Sequence, residues 1–262
     1  MTSSSSNGNK GGTMKRYLFI FCICFLLSPI TTWAESIVIS VENREFYPFF
    51  FVEKGTAKGL LLDMVKDGLK PFDIEPIFKP LPLKRGLKMI ERGKVDAIIA
   101  PRIKNDTFLL PDDAFEKDIS SQRILQIDSV VVTYKSDYEF LGNIKTLPTP
   151  IRLTLGDPIE SLFKSHGLSV DDGASGEHNI KKLMRDKKGC VITTSFKAMT
   201  WLENPNYMSN IDVSTEPVIS RSYFLIFSKN SGQGKDKITQ VWNEISKNRD
   251  DYIYPIKLFT AY

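Results

Sequence analysis

An alternation of two apolar periods constrains the fold of this chain more than any other feature. Short strand-like runs cover residues 37–41, 74–80 and 95–100, and apolar stripes at helical spacing fill the two intervals between them. The first stripe stops at Pro71 and the second at Gly93, two residue types that end helices. This β-α-β-α-β order predicts a parallel sheet covered by helices, with ligand sites at the carboxyl ends of its strands.

The same alternation returns in the second half of the chain. Strands are predicted over residues 129–134, 151–155, 190–194 and 223–227, and helices over 178–186, 196–202 and 238–246. A further helix is predicted after Gly156, with Asp157 as its N-cap and Pro158 at its first position. We expect an α/β fold of two similar lobes, in which the C-terminal helix returns to the first lobe.

Residues 1–34 have the layout of a secretory signal peptide. Lys15 and Arg16 precede an apolar run over residues 17–27, and Pro29 and the Thr32-Trp33-Ala34 step follow, with a predicted cleavage after Ala34. The run is about half as long as the roughly 20 residues that cross a bilayer, which argues against a membrane anchor. The polar stretch 1–13 indicates that the start site of the sequence is placed too far upstream. The mature protein is therefore predicted to be secreted.

Charge and cysteine content exclude other classes of protein. The formal net charge is +4, and three of the 35 basic residues lie before residue 35 with no acidic residue beside them. The mature chain is then close to neutral, which argues against nucleic acid as a partner. Cys22 and Cys24 leave with the leader, and Cys190 lies in an apolar strand-like run where a structural role is expected.

No motif in the sequence indicates catalysis, a metal or a cofactor. His166 and His178 are the two histidines, and neither has a second ligand at metal-binding spacing. The chain lacks a phosphate-binding Gly-rich loop and a Gly-x-Ser-x-Gly elbow. We therefore expect a protein without catalytic residues, metal or cofactor.

Three sequence segments resemble motifs of the family 3 periplasmic solute-binding proteins, the amino-acid-binding-like group. They are Gly59 to Asp63 before the first helix, residues 82–97 through the second helix into the third strand, and Leu155-Gly156-Asp157 at a strand-to-helix turn. The resemblance implies a type II binding-protein fold whose two lobes close on a small polar solute. It also implies a monomer that delivers the solute to an ABC-type membrane permease.

The resemblance assigns residues 35–130 and 225–262 to the first lobe and residues 131–224 to the second. Two departures from the family pattern concern the ligand. The Arg that follows a Thr after the third strand is absent, and Arg102 is the candidate in its place. The Asp that binds an α-ammonium group is replaced by Thr194. These departures argue against a standard α-amino acid as ligand, because a hydroxyl cannot supply the charge that an ammonium needs in a desolvated cleft.

Eight residues are the candidate ligand contacts, and several also have a structural explanation. Asp157 and Ser195 could cap helices, Phe49 could belong to the core, and Arg85 could be a solvated surface charge. Arg221 is a weaker candidate near the presumed hinge. The eight candidates are Tyr47, Phe49, Arg85, Arg102, Gly156, Asp157, Thr194 and Ser195.

Two alternatives to a transport receptor stay open at this level. Some relatives of the family are periplasmic dehydratases that use a carboxylate as general acid, and for that function Glu45, Glu53 and Asp63 are the groups to test. The other alternative is a ligand-sensing module that contacts a separate membrane protein.

Overall fold

A computed structural model describes residues 35–44, 46–115, 121–135, 138–157 and 159–260. The predicted signal peptide, Glu45 and Pro158 lie outside the described residues. The described strands are β1 (Glu35–Glu42), β2 (Phe51–Glu53), β3 (Thr56–Lys58), β4 (Ile74–Leu81), β5 (Ala97–Pro101), β6 (Phe108–Leu109), β7 (Leu125–Tyr134), β8 (Ile151–Thr154), β9 (Val170–Gly173), β10 (Cys190–Thr194), β11 (Ile211–Val213) and β12 (Ile219–Ser228).

The described α-helices are α1 (Leu60–Leu69), α2 (Leu83–Glu91), α3 (Glu160–Ser165), α4 (Gly176–Asp186), α5 (Ser195–Leu202) and α6 (Lys235–Thr260). Short 3-10 turns cover Lys70–Phe72, Asp112–Phe115 and Ile144–Thr146. The predicted β-α-β-α-β order of the first hundred residues is confirmed by β1, α1, β4, α2 and β5. No helix of the described ranges is long and apolar enough to cross a membrane.

Most of the strands form one sheet in the order β4-β1-β5-β12-β7-β10-β8-β9. The pairs β1–β5, β8–β10 and β8–β9 are parallel, as predicted for sheets covered by helices. The long strands β7 and β12 pair antiparallel with each other and with β10 and β5, respectively. These two strands join the parallel halves into one sheet, which the sequence analysis did not predict.

We call β4, β1 and β5 the first half of the sheet, and β10, β8 and β9 the second half. The first half carries a core on each face. On one face, α1 and α6 cover β1 and bury Ile39, Leu61 and Trp242. On the other face, α2 covers β5 and buries Ile90 and Ile98. The C-terminal helix α6 packs on the same core as β1, and it runs well beyond the predicted residues 238–246.

The second half of the sheet repeats this arrangement with α3 on one face and α4 and α5 on the other. Leu153 and Phe163 are buried in the first of these cores, and Val132 and Trp201 in the second. Cys190 is fully buried in β10, as expected for a structural cysteine. Its burial raises the pKa of the thiol to about 12, so the reactive thiolate is disfavoured at neutral pH.

The strands β7 and β12 change from one core to the other part-way along their length. On β7, Ile127 packs in the first-half core and Val131 in the second. On β12, Ile219 packs against the second-half core and Tyr223 is buried in the first. The predicted lobe boundaries at residues 130 and 225 stay a prediction.

The start of α3 corrects one sequence prediction. The helix begins at Glu160 with Ile159 in the N-cap position, and no side chain caps it. Asp157 instead accepts a hydrogen bond from the backbone N–H of Ile159 at 3.0 Å. Asp157 therefore closes an Asx turn before the helix, because its short carboxylate bonds the backbone two residues on.

Candidate functional site

A cleft of about 360 Å³ opens between the two halves of the molecule. The first half contributes the segment after β1, and the second half contributes the ends of strands and the starts of helices. Strand carboxyl ends and helix N-termini meet there because the connections in parallel sheets bring them to one edge. The lining residues are Arg44, Phe46, Tyr47, Ser129, Thr154, Leu155, Gly156, Asp157, Ala174, Ser175, Gly176, Glu177, Ile192, Thr193, Thr194 and Lys197.

Arg44 is the cation that the first half presents to the cleft. Its Nε lies 2.9 Å from the Glu42 carboxylate, and its guanidinium lies over the Phe46 ring, 4.5 Å from the centroid. Burial opposes the charge, but Glu42, Tyr223 and Asp157 together outweigh burial and raise the Arg44 pKa above its usual value. The side chain is therefore a fixed cation, held by a carboxylate at one edge and an aromatic face on one side.

Phe46 and Tyr47 form the apolar part of this wall. The Tyr47 side chain is 60% exposed at the mouth of the cleft and packs against the Phe51 ring at 5.4 Å between centroids. Phe49 does not line the cleft; it is buried in the first-half core and contacts Phe196 at 6.1 Å. Of the two predicted aromatic contacts, the structure thus brings only Tyr47 to the cleft.

The turn after β8 places Gly156 and Asp157 in the opposite wall. Gly156 has a φ of 79°, and a Cβ built there would meet nothing within 4 Å, so its backbone faces open space. The Asp157 carboxylate lies 3.9 Å from Nη1 of Arg221 on β12. Arg221, which is a weaker candidate from the sequence, therefore balances the charge of Asp157 from β12.

Glu177 and Lys197 form an ion pair that no sequence pattern indicated. Their carboxylate and ammonium lie 2.8 Å apart, and the Trp201 indole donates a hydrogen bond of 3.0 Å to the same Glu177 oxygen. Burial raises the Glu177 pKa, but the bonds from Lys197 and Trp201 outweigh it and lower the pKa overall. Because Glu177 starts α4 and Lys197 belongs to α5, the pair ties two helix starts together beside the cleft.

The end of β10 contributes Thr194 but not Ser195. Thr194 lines the cleft, and its hydroxyl accepts a hydrogen bond of 3.2 Å from the Lys197 N–H as the N-cap of α5. The cap of this helix is thus Thr194 rather than Ser195, which is its first helical residue and is absent from the lining. Ser175 caps α4 in the same way by accepting from the His178 N–H at 3.2 Å.

Arg85 and Arg102, the two predicted cationic contacts, lie outside the cleft lining. Arg85 is exposed on α2. Arg102 is exposed after β5 and donates to the Ala114 carbonyl at 3.3 Å. Glu53 and Asp63, two carboxylates of the enzyme alternative, also do not line the cleft. The described part of the chain holds no cluster of three or more potential metal ligands among His, Cys, Asp and Glu.

No protein-family model matches the sequence, and no curated protein matches it at a significant level. Solved structures do match the fold. The L-cystine solute receptor of Neisseria gonorrhoeae, unliganded and open, matches with a TM-score of 0.55 and 15% identity, covering 83% of this chain and 88% of the receptor. The GluR0 ligand-binding core from Nostoc punctiforme in complex with L-glutamate matches with a TM-score of 0.55 and 15% identity, covering 84% and 95% of the two chains.

An ancestral cationic amino acid solute-binding protein matches with a TM-score of 0.57 and 16% identity, covering 86% of this chain and 94% of that one. The fold is that of a two-lobed periplasmic binding protein. The cleft described above lies between the two halves of the sheet.

The cleft carries its charges in pairs. Arg44 lies beside Glu42, Lys197 beside Glu177, and Asp157 beside Arg221. Among the described residues, every formal charge that lines the cleft therefore has an opposite charge within 4 Å. The site offers polar and charged groups to a ligand without an excess of either sign.

Proposed function

We propose that the protein is a periplasmic solute-binding protein that captures a small polar solute of zero net charge between its lobes. The observation that carries the proposal is the cleft itself, which is walled by an Arg and aromatic rings on one lobe and by strand ends and helix starts on the other. We place the protein in the periplasm, as a monomer that serves an ABC-type permease and has no catalytic activity.

The paired charges favour a neutral or zwitterionic solute. Closure of the lobes removes water from the cleft, and an ion buried without a counter-charge carries a large desolvation penalty. The three pairs Glu42–Arg44, Asp157–Arg221 and Glu177–Lys197 leave no net charge to compensate an ionic ligand. A solute whose own charges cancel, or that has none, meets this condition.

Arg44 is the proposed anchor for an oxygen of the solute. Its Nε forms an ion pair with the Glu42 carboxylate at 2.9 Å but is a buried donor without a hydrogen bond among the described residues, so the guanidinium keeps donor capacity for a ligand in the cleft. On the facing wall, the first N–H groups of α4 lack partners inside their helix. The hydroxyls of Thr193 and Thr194 and the ring of Tyr47 complete a site for a solute with polar edges and an apolar face.

The antiparallel strands β7 and β12 are the proposed hinge. Both run from one core to the other, and rotation about them would bring the Arg44 wall toward the Gly156 wall. Hinge closure around a ligand is a known motion of this architecture. The structural neighbours are described as solute receptors or substrate-binding proteins for amino acids, which supports a solute-binding role.

The test is a thermal-shift and calorimetric screen of the purified protein against neutral, zwitterionic, anionic and cationic small solutes, with analysis of each hit for chemical change. A solute present at 100 times its Kd should stabilise the protein by about 2.7 kcal/mol. We expect hits among solutes of zero net charge, recovered unchanged. Consumption of the hit would move the protein to the enzyme class, and tight binding restricted to net-charged solutes would contradict the proposed ligand class.

A pair of arginine variants then tests the site. Arg44→Gln should weaken binding of the hit by about ten- to hundredfold, because hydrogen bonds to a charged group contribute about 1.5–3 kcal/mol. Arg102→Gln removes the same charge from an exposed position outside the cleft and should bind normally. The opposite result would restore Arg102, the candidate chosen from sequence, as the ligand contact.

A further inference from the structure

Helix α2 lies against the first lobe with one side buried and the other turned outward. Ile90 is fully buried, and Leu83 and Leu87 pack against the same core. Gly86 approaches the sheet so closely that a Cβ there would lie 2.5 Å from the Ser40 hydroxyl oxygen. The orientation of the helix is therefore fixed, and so is the identity of the residues on its outer side.

That outer side and its two flanks carry one sign of charge. Residues 79–94 contain six basic side chains and a single acidic one, Glu91. All six are exposed. Those at positions 84, 85, 88 and 92 fall within an arc of about 100° at 3.6 residues per turn. We call this surface the basic face; its members are Lys79, Lys84, Arg85, Lys88, Arg92 and Lys94.

The basic face is not neutralised by the protein itself. Within the described part of the chain, none of its six cations forms an ion pair or a side-chain hydrogen bond. The nearby acids are engaged elsewhere: Glu91 accepts from the Asn105 amide at 2.9 Å, and Asp96 accepts from the Val38 N–H at 2.7 Å. Glu75 lies four residues from Lys79 on β4, about 13 Å along the strand.

The composition of the basic face suits an extended and fluid anionic surface. Four of its six cations are lysines, whose flexible stems carry point charges rather than the rigid fork that selects one partner geometry. The cations are spread over β4, α2 and the following turn instead of converging on a pocket. Ile77, two residues from Lys79 on β4, adds a half-exposed apolar side chain to the same side of the strand.

We propose that the basic face binds the protein to an anionic phospholipid surface. Clusters of four to eight Lys or Arg residues on an amphipathic helix have this property, since each adds attraction to the lipid headgroups. None of the six residues lines the cleft, so this binding is independent of solute capture and can be tested alone. A receptor held at the membrane would search for its permease in two dimensions.

The experiment measures co-sedimentation of the secreted form of the protein with phosphatidylglycerol-containing vesicles and with phosphatidylcholine vesicles. Its N-terminus is determined first, because a retained apolar run at residues 17–27 would itself bind lipid. The test variant replaces four cations of the basic face, Lys84→Gln, Lys88→Gln, Arg92→Gln and Lys94→Gln. The control variant removes the same charge from exposed positions of the second lobe, Lys135→Gln, Lys145→Gln, Lys181→Gln and Lys188→Gln.

We expect the wild type and the control variant to bind phosphatidylglycerol vesicles at low salt and to dissociate from the vesicles at high salt. The test variant should bind several hundredfold more weakly or not at all, since each of the four cations contributes about 1 kcal/mol, with an unchanged melting temperature. Equal binding by the test variant, an equal loss in the control, or no binding of the wild type would overturn the proposal. If soluble poly-L-glutamate binds the basic face while lipid does not, the face fits an acidic protein partner and the membrane proposal also fails.

Discussion

We expect the buried side chain of Arg152 to contribute strongly to the stability of the cleft wall formed by the turns after β8 and β9. The Arg152 side chain on β8 is fully buried; its Nη2 lies 2.7 Å from the Asp186 carboxylate, and its Nη1 donates to the Lys188 carbonyl at 2.9 Å. Its Nε lies 3.7 Å from the Asp171 carboxylate on β9. The side chain thus connects β8 and β9, whose turns form the cleft wall, to the end of α4.

Arg152→Met keeps an unbranched apolar stem and removes the guanidinium. The Asp186 carboxylate and the Lys188 carbonyl then lose their hydrogen bonds from the guanidinium, and a hydrogen bond to a charged group contributes about 1.5–3 kcal/mol. Arg152→Ala also leaves a cavity, and truncation of a large buried side chain costs about 2–5 kcal/mol. We therefore expect the free energy of unfolding to fall by about 2 kcal/mol for the Met variant and by about 4 kcal/mol for the Ala variant.

Urea unfolding followed by circular dichroism and by tryptophan fluorescence measures both losses. Arg185 provides the matched control, since its Nε lies 2.8 Å from the same Asp186 carboxylate but its side chain is 72% exposed. Arg185→Met should leave the unfolding midpoint unchanged within error, because exposed ion pairs contribute little. A loss for Arg185→Met as large as that for Arg152→Met would refute the argument that burial gives Arg152 its weight.

Three further predictions concern the second lobe. Gly173→Ala should lower the unfolding midpoint markedly in urea titrations, because the added Cβ would lie 1.9 Å from the Asn179 side-chain oxygen. The Cys190 thiol should resist Ellman's reagent in the folded protein and react once unfolded; release of three thiols instead of one would show that the leader is retained. Because the pKa of Glu177 is lowered in the folded protein, its charged form stabilises the fold at neutral pH, and this stabilisation is lost as the pH falls below the ordinary value of 4.5. Glu177→Gln should therefore be less stable than the wild type at neutral pH. In unfolding curves recorded at acid pH, the stabilities of the two proteins should converge.

Local apolar periods were sufficient to predict much of the fold. The strand at residues 190–194 was predicted with the bounds of β10, and the helix that ends before Pro71 matches α1 to within a few residues. The pairing of β7 with β12 could not be predicted in this way, because the register depends on partners about 90 residues apart in the chain. The short strands β6 and β11 hold two and three residues, too few to display a period.

The candidate site was predicted less completely than the fold, for a related reason. Gly156 and Thr194 were identified from their positions at strand ends, and both line the cleft. Arg44 was overlooked because a polar residue just after a strand is also typical of an ordinary loop. Glu177 and Lys197 lie 20 residues apart, and only the packing of α4 beside α5 brings their charges to 2.8 Å.

The mature chain is close to neutral overall, yet it combines paired charges in the cleft with unpaired cations on the basic face. The two should differ in their response to salt. Ionic strength screens exposed charges over about 10 Å at 0.1 M, whereas charges already paired at short range change little. Solute binding in the cleft, where Arg44 and Lys197 have their counter-charges within 3 Å, should keep its affinity as salt is raised. Lipid binding by the basic face, whose cations are unpaired, should fall steeply over the same range. A cleft affinity that drops in parallel with lipid binding would mean that the pairs open when the solute binds, and the zero-net-charge class of ligand would then be wrong.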